Sequence, residues 1–138
     1  MHRAQEQVRD FHRAMGIPAP TEMQRSMIVE RVKLRLALIE EEWKEVIDAA
    51  KVASDDKILV TTPELVDGLL DMLYVIYGWS VELGIDLEPL WEAVHEANMK
   101  KGPGPMREDG KKLKPEGWTP PDIAGLLARM HRLEREHR

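Results

Sequence analysis

The sequence holds 138 residues, a length that suits one domain with a real hydrophobic core. Its 20 Lys and Arg against 25 Asp and Glu leave a formal charge of −5, which does not favour a nucleic-acid partner. Cysteine is absent, so a disulfide scaffold, a thiolate nucleophile, a Cys-ligated zinc site and an iron–sulfur cluster are all excluded. The opening MHRAQEQVRDFHRAMG has no apolar stretch of the kind a secretion signal needs. The longest apolar run, Met72 to Trp79, is far short of the roughly 20 residues of a membrane span. One soluble domain over residues 1–138, cytoplasmic and away from membranes, is the expectation.

The pattern along the chain is helical. Gln5 to Met15 reads as a short helix, stopped by Gly16 and Pro18-Ala19-Pro20. A long helix is expected from Thr21, with Gln24 three residues on in capping-box position. Ile28, Val32, Leu36, Ile39, Trp43, Val46 or Ile47, and Ala50 form its apolar stripe, uninterrupted up to Ser54-Asp55-Asp56. Thr62-Pro63 then marks an N-cap with Pro in the first helical position, and the helix it opens runs to Gly84. This helix is apolar on most of its circumference, as the central helix of a bundle would be. Asp86 caps a fourth helix reaching about Lys100, with Leu87, Leu90, Trp91 and Val94 as its core face. Pro120 or Pro121 opens a last one, with Ile123, Leu126, Leu127, Met130 and Leu133 on one side. No run demands a strand, and Ile58 to Thr62 is too short to count as one. An all-α, four-helix-type bundle follows, with a long basic loop and a C-terminal amphipathic helix.

Charge is unevenly placed. From Ile58 to Met99 there is no Lys or Arg, yet Glu64, Asp67, Asp71, Glu82, Asp86, Glu88, Glu92 and Glu96 lie there. From Lys100 to Trp118 the sign reverses, with Lys100, Lys101, Arg107, Lys111, Lys112 and Lys114 against Glu108, Asp109 and Glu116. Such a pattern serves solubility, or it sets a cation site beside an anion site, as a metal–polyphosphate substrate requires.

The acids fall on helix faces. Glu42 and Glu45 are three residues apart and Glu41 and Glu45 four, so all three point into one quadrant; Glu64, Asp67 and Asp71 do the same on the central helix. A single acidic face is most often plain solvated surface. On so apolar a helix, however, Asp67 and Asp71 must lie near packed surface, where an unpaired carboxylate costs several kcal/mol. No Lys or Arg on that helix can pair with them. A hard divalent cation with all-oxygen ligation can, which points to Mg²⁺ or Mn²⁺; zinc is disfavoured because neither patch holds a His.

Four blocks in order, EEWKEV (Glu41 to Val46), ELVDGLLDMLYVIYG (Glu64 to Gly78), VHEANMKK (Val94 to Lys101) and GPMREDGKKLKPEGWTPPDI (Gly104 to Ile123), resemble the all-α nucleotide pyrophosphohydrolases. These are the MazG-like and phosphoribosyl-ATP pyrophosphohydrolase-like proteins and the dimeric dUTPases. FHRAMG at Phe11 to Gly16 is similar to the start of such proteins. The resemblance implies that Glu42, Glu45 and Asp71 bind the metal. One position departs from it: three residues before Asp71, where the family often has Glu, stands Gly68. Asp67, one turn from Asp71, is taken as the substitute in preference to the more distant Glu64, and the number of bound metals stays open.

His95, Asn98 and Lys101 match the family's HxxNMxK block and are expected to contact substrate, with Arg107 and Lys111 closing over the polyphosphate around an Asp109-Gly110 turn. The plainer reading of His95 is a surface histidine satisfied by Glu92 or water, and that of Lys100, Lys112 and Lys114 is solvation. Trp118 reads as a packing anchor ahead of a base-stacking ring, and Trp43 as bundle core or nucleobase wall.

The resulting expectation is a metal-dependent hydrolase that converts a nucleoside triphosphate to the monophosphate and pyrophosphate, with Glu41 orienting or deprotonating the attacking water. The resemblance implies a homodimer, or a tetramer, and favours a deoxynucleotide, dUTP in particular, with house-cleaning of nucleotide pools as a role. The alternatives are a phosphoribosyl-ATP pyrophosphohydrolase and a non-catalytic helical dimer that binds metal for structure.

Overall fold

The computed structural model describes residues 1–52, 54–55, 58–59, 62–102 and 104–136. Asp56, Val60 and Thr61, which fall in segments discussed above, lie outside the described residues. The chain is all-α, with helices α1 (Arg3–Ala14), α2 (Val29–Val52), α3 (Pro63–Glu82), α4 (Glu88–Met99) and α5 (Ile123–Glu136). Among the described residues a minimal antiparallel strand pair, β1 (Ser54–Asp55) with β2 (Ile58–Leu59), also stands between α2 and α3, where no strand was expected. No helix is long and apolar enough to cross a membrane among the described residues. Two compact units divide the chain, Met1–Ile85 and Asp86–Arg138.

In the first unit α3 packs against both α1 and α2. Thr62 caps α3 as its sequence requires, its Oγ1 accepting from the Leu65 amide at 3.2 Å, with Pro63 in the first turn. The far end closes on Gly84, whose φ of +65° suits a residue without a β-carbon. There the Ile85 amide donates to Ser80 O at 3.0 Å and the Gly84 amide to Val81 O at 3.0 Å, a Schellman closure; Gly16 ends α1 in the same way. Gln5, fully buried, ties α1 to this end of α3 through donations from Nε2 to Ser80 Oγ at 2.8 Å and Ile85 O at 2.7 Å. Val8 and Val81 fill the space between, and Phe11 meets Tyr74 edge to face at 5.6 Å.

The second helix starts at Val29, not Thr21. Gln24 does not join a capping box, because its amide donates to Leu83 O at 2.8 Å, supplying a partner for a carbonyl that α3 leaves open at its end. Its side-chain Nε2 turns to Glu22 O at 2.8 Å. The face of α2 turned to α3 also differs from the expected stripe. Arg35 is 4% exposed, whereas Leu36 and Trp43 are 53% and 54% exposed. The packed seam therefore runs through Arg31 and Arg35, each one position before a stripe residue, and meets the stripe again at Val46.

In the second unit α4 packs with α5. Asp86 Oδ1 accepts from the Glu88 amide at 3.0 Å, and Asp122 Oδ1 accepts from Gly125 at 2.9 Å, so α5 begins at Ile123 behind an Asp cap and not at either proline. Leu90 and Ala97 are the buried residues of α4; Trp91, expected in the core, is 60% exposed.

Candidate active site

α2 and α3 run antiparallel. Arg31 and Arg35 on α2 bind Glu82 at the end of α3, with Arg31 Nε 3.0 Å from Oε2 and Arg35 Nε 2.9 Å from Oε1. Farther along, Val46 Cγ2 lies 3.1 Å from where a β-carbon on Gly68 would stand. This register sets Glu42 and Glu45 opposite Asp71 and Asp67. Glu42 is half-buried, and the other three, with Glu41, are exposed.

The electrostatics agree with the register. Burial, followed by the negative charges of Asp71, Glu45, Glu41 and Asp67, pushes the Glu42 carboxyl above its ordinary range. Five of the six acids singled out on these helix faces thus share one neighbourhood, and Glu64 stands apart from Glu42. None of them has a hydrogen bond or ion pair among the described residues. Lys44 pairs with Glu40 instead, at 2.7 Å, and Lys51 with Asp48 at 3.1 Å. A cavity of about 490 Å³ opens beside the cluster, lined by Glu45, Asp48, Ala49, Thr62, Glu64, Asp67 and Gly68.

Among the described residues no three His, Asp or Glu side chains converge closely enough to hold a metal ion as they stand. The donor set nevertheless fits a hard divalent cation. Its oxygens are unpartnered among the described residues, and Glu42, raised first by burial and then by the neighbouring negative charges, is the member a cation would relieve most.

The second unit holds the expected anion-recognising residues. His95 and Asn98 are exposed on α4. Asn98 Oδ1 accepts from Lys101 Nζ at 2.7 Å, so Lys101 engages the carbonyl end of that amide. The Asp109-Gly110 turn forms as read: Arg107 N donates to Lys111 O at 2.8 Å and Met106 bridges to Lys112. Arg107 is already engaged, its Nε 2.9 Å from Asp109 Oδ1, which also accepts from the Lys111 amide at 3.1 Å. The Arg107 guanidinium and then that amide hold the Asp109 carboxyl below its usual range. Lys111 is exposed.

Residues 8–98 match the family model described as phosphoribosyl-ATP pyrophosphohydrolase. The chain belongs to this family. It thereby falls in the all-α MazG-like NTP pyrophosphohydrolase superfamily, as the four sequence blocks imply. Over 84 residues it is 38% identical to "Uncharacterized protein L479" of Acanthamoeba polyphaga mimivirus, a span of 59% of this chain and 31% of that protein. The chain thus covers about a third of that relative's length. Dependence on a divalent metal is typical of the family. The matched span takes in Glu41, Glu42, Glu45, Asp67, Asp71, His95 and Asn98, while Lys101, Arg107 and Lys111 lie beyond it.

Several features within the family span escaped the sequence reading. Asp48, outside the acidic faces that the spacing picks out, lines the cavity with Glu45, while Glu64, which the spacing does pick out, lines it beside Asp67. The pairing of Arg31 and Arg35 with Glu82 leaves only a faint trace in the sequence, two arginines at i,i+4 beside an apolar stripe. Past the family span, Lys112 proves to be more than solvated surface. Its ammonium donates to the Gly102 and Gly104 carbonyls at 3.0 Å each, clamping the loop.

Proposed function

We propose that this chain hydrolyses a nucleoside triphosphate to the nucleoside monophosphate and pyrophosphate. The observation that carries the reading is the group of five carboxylates on the α2–α3 seam, mutually repulsive and unpartnered among the described residues, in a chain of a pyrophosphohydrolase family. Glu42, Glu45, Asp67 and Asp71 are assigned to hold Mg²⁺ or Mn²⁺. When bound, the cation neutralises phosphate charge and polarises the phosphoryl group under attack. Glu41 lies in the same neighbourhood without being needed as a ligand, which supports its role in orienting or deprotonating water. His95, Asn98, Lys101, Arg107 and Lys111 are assigned to substrate, with Lys101 and the Asn98 amide the readiest donors because Arg107 already spends hydrogen bonds on Asp109.

The GPMREDGKKLKPEGW loop supports dUTP as substrate by its likeness to MazG-like dUTPases. Phosphoribosyl-ATP is the second reading, favoured by the description of the matched family. The α3 side chains Leu69, Leu70 and Leu73 are 50%, 58% and 51% exposed, which supports a second copy of the chain as partner. The deciding experiment is pyrophosphate release across all NTPs, dNTPs and phosphoribosyl-ATP with Mg²⁺ or Mn²⁺. Release from dUTP ahead of the others is the expected result. Release from none would leave the non-catalytic metal-binding dimer.

A further inference from the structure

Two ammonium groups in the second unit share one indole. Lys114 Nζ lies 4.5 Å from the centroid of the Trp118 ring, and Lys101 Nζ lies 5.2 Å from it. The ring itself is fixed: its Nε1–H donates to Ala97 O at 2.7 Å, and the Trp118 amide closes a turn on Pro115 O at 3.1 Å. Lys101 is steadied further by Asn98 Oδ1 at 2.7 Å.

Neither ammonium meets a carboxylate among the described residues. Other cations of the same loop are occupied, Arg107 by Asp109 and Lys112 by two backbone carbonyls. An aromatic face attracts a cation without neutralising it, so both lysines keep their full charge for an outside anion. Two like charges drawn to one ring also repel each other, a cost that a ligand with adjacent negative groups removes. A linear oligophosphate has that form.

We propose that Lys114 binds the same polyphosphate chain as Lys101, and that Trp118 is the positioning residue that holds the two ammoniums together. This rests on the pyrophosphohydrolase reading for the identity of the substrate, but binding of an oligophosphate by this cluster does not depend on cleavage.

The test is calorimetric titration of the full chain with inorganic tripolyphosphate, beside steady-state kinetics on the best nucleotide. Lys114→Ala should weaken tripolyphosphate binding roughly tenfold or more, the loss of one charge-assisted hydrogen bond, and should raise KM with kcat little changed. Lys114→Arg should retain binding. Trp118→Leu should weaken binding as Lys114→Ala does, and Trp118→Phe, which keeps an aromatic face, should restore most of it. In a Lys101→Ala, Lys114→Ala background Trp118→Leu should cost nothing more. Unchanged binding in Lys114→Ala overturns the proposal, as does a further loss from Trp118→Leu in that background, which would make the ring merely structural. Should Trp118→Leu fail to fold, Lys114→Ala and Trp118→Phe still decide. Lysine-dependent tripolyphosphate binding without nucleotide hydrolysis would remove the pyrophosphohydrolase reading and leave this one standing.

Discussion

Arg35 reaches Glu82 across the face of Gly78, where a β-carbon would stand 2.7 Å from Arg35 Nη1 and 3.1 Å from His12 Nε2. A guanidinium end is flexible in general, but this one is 5% exposed and pinned to the Glu82 carboxylate. It cannot yield without loosening that pair. Gly78→Ala is therefore expected to destabilise the first unit by about 1–3 kcal/mol, the usual cost of overpacking, and urea denaturation would measure it. A variant as stable as the parent would mean that Arg35 moves aside freely.

The same cluster fixes how stability depends on pH. His12 donates from Nδ1 to Pro18 O at 3.1 Å and offers Nε2 to Arg35 at 3.3 Å, so it is held as the neutral tautomer. Burial, with the Arg35 charge, lowers its pKa below the ordinary 6.5 against the pull of Pro18 O. Burial alone would raise Glu82, but Arg31 and Arg35 overcome it and hold the carboxyl below the ordinary 4.5. Both groups bind protons more readily unfolded than folded, so both make stability fall on acidification. The first decline should begin as pH drops through 6.5 and the second below 4.5. Denaturation midpoints measured from pH 8 to pH 3 should show both. Glu82→Gln should lose the lower decline and cost about 3–5 kcal/mol at neutral pH by stranding two guanidiniums.

At the acidic end of the seam the argument reverses, because there charge is in excess and not paired. Asp71→Asn should abolish turnover while leaving helicity intact, and should raise the metal-free Tm by relieving its repulsion of Glu42. Mn²⁺ should raise Tm in the parent by binding the folded state alone, and much less in the variant. Full activity in Asp71→Asn, or in Glu45→Gln, would defeat the metal-site assignment.

Much of this was legible in the chain because the signals were local. Thr62-Pro63 opens α3 as read, since an N-cap hydroxyl needs only its own next turn. Helix spacing and the antiparallel register bring the charges of Glu45, Asp67 and Asp71 to bear on Glu42, although no three of these acids converge as metal ligands among the described residues. What failed was tertiary. The apolar repeat through Leu36 and Trp43 suggested the buried face of α2, yet Arg35 lies in the seam, because Glu82 on another helix supplies the charge that makes its burial tolerable. Gln24 likewise looks like a capping residue until Leu83 O is placed beside its amide. A sequence shows neither partner.

Bond choice separates this chemistry from its nearest rivals. Attack at the γ-phosphorus releases orthophosphate and a diphosphate, and attack at the α-phosphorus releases pyrophosphate and a monophosphate. The sequence has no GxxxxGK[ST] loop, the backbone cradle with which P-loop NTPases address the γ-phosphate. In its place are a carboxylate cluster on the α2–α3 seam and, on the second unit, Lys101 and Lys114 with no carboxylate partner among the described residues. The proposed reading, in a chain of a pyrophosphohydrolase family, puts attack at the α-phosphorus with pyrophosphate as the leaving group. Hydrolysis in ¹⁸O-labelled water should therefore place the label in the nucleoside monophosphate, with unlabelled pyrophosphate as coproduct, read by mass spectrometry. Label in orthophosphate beside a nucleoside diphosphate would overturn the pyrophosphohydrolase reading even if every metal ligand were correct.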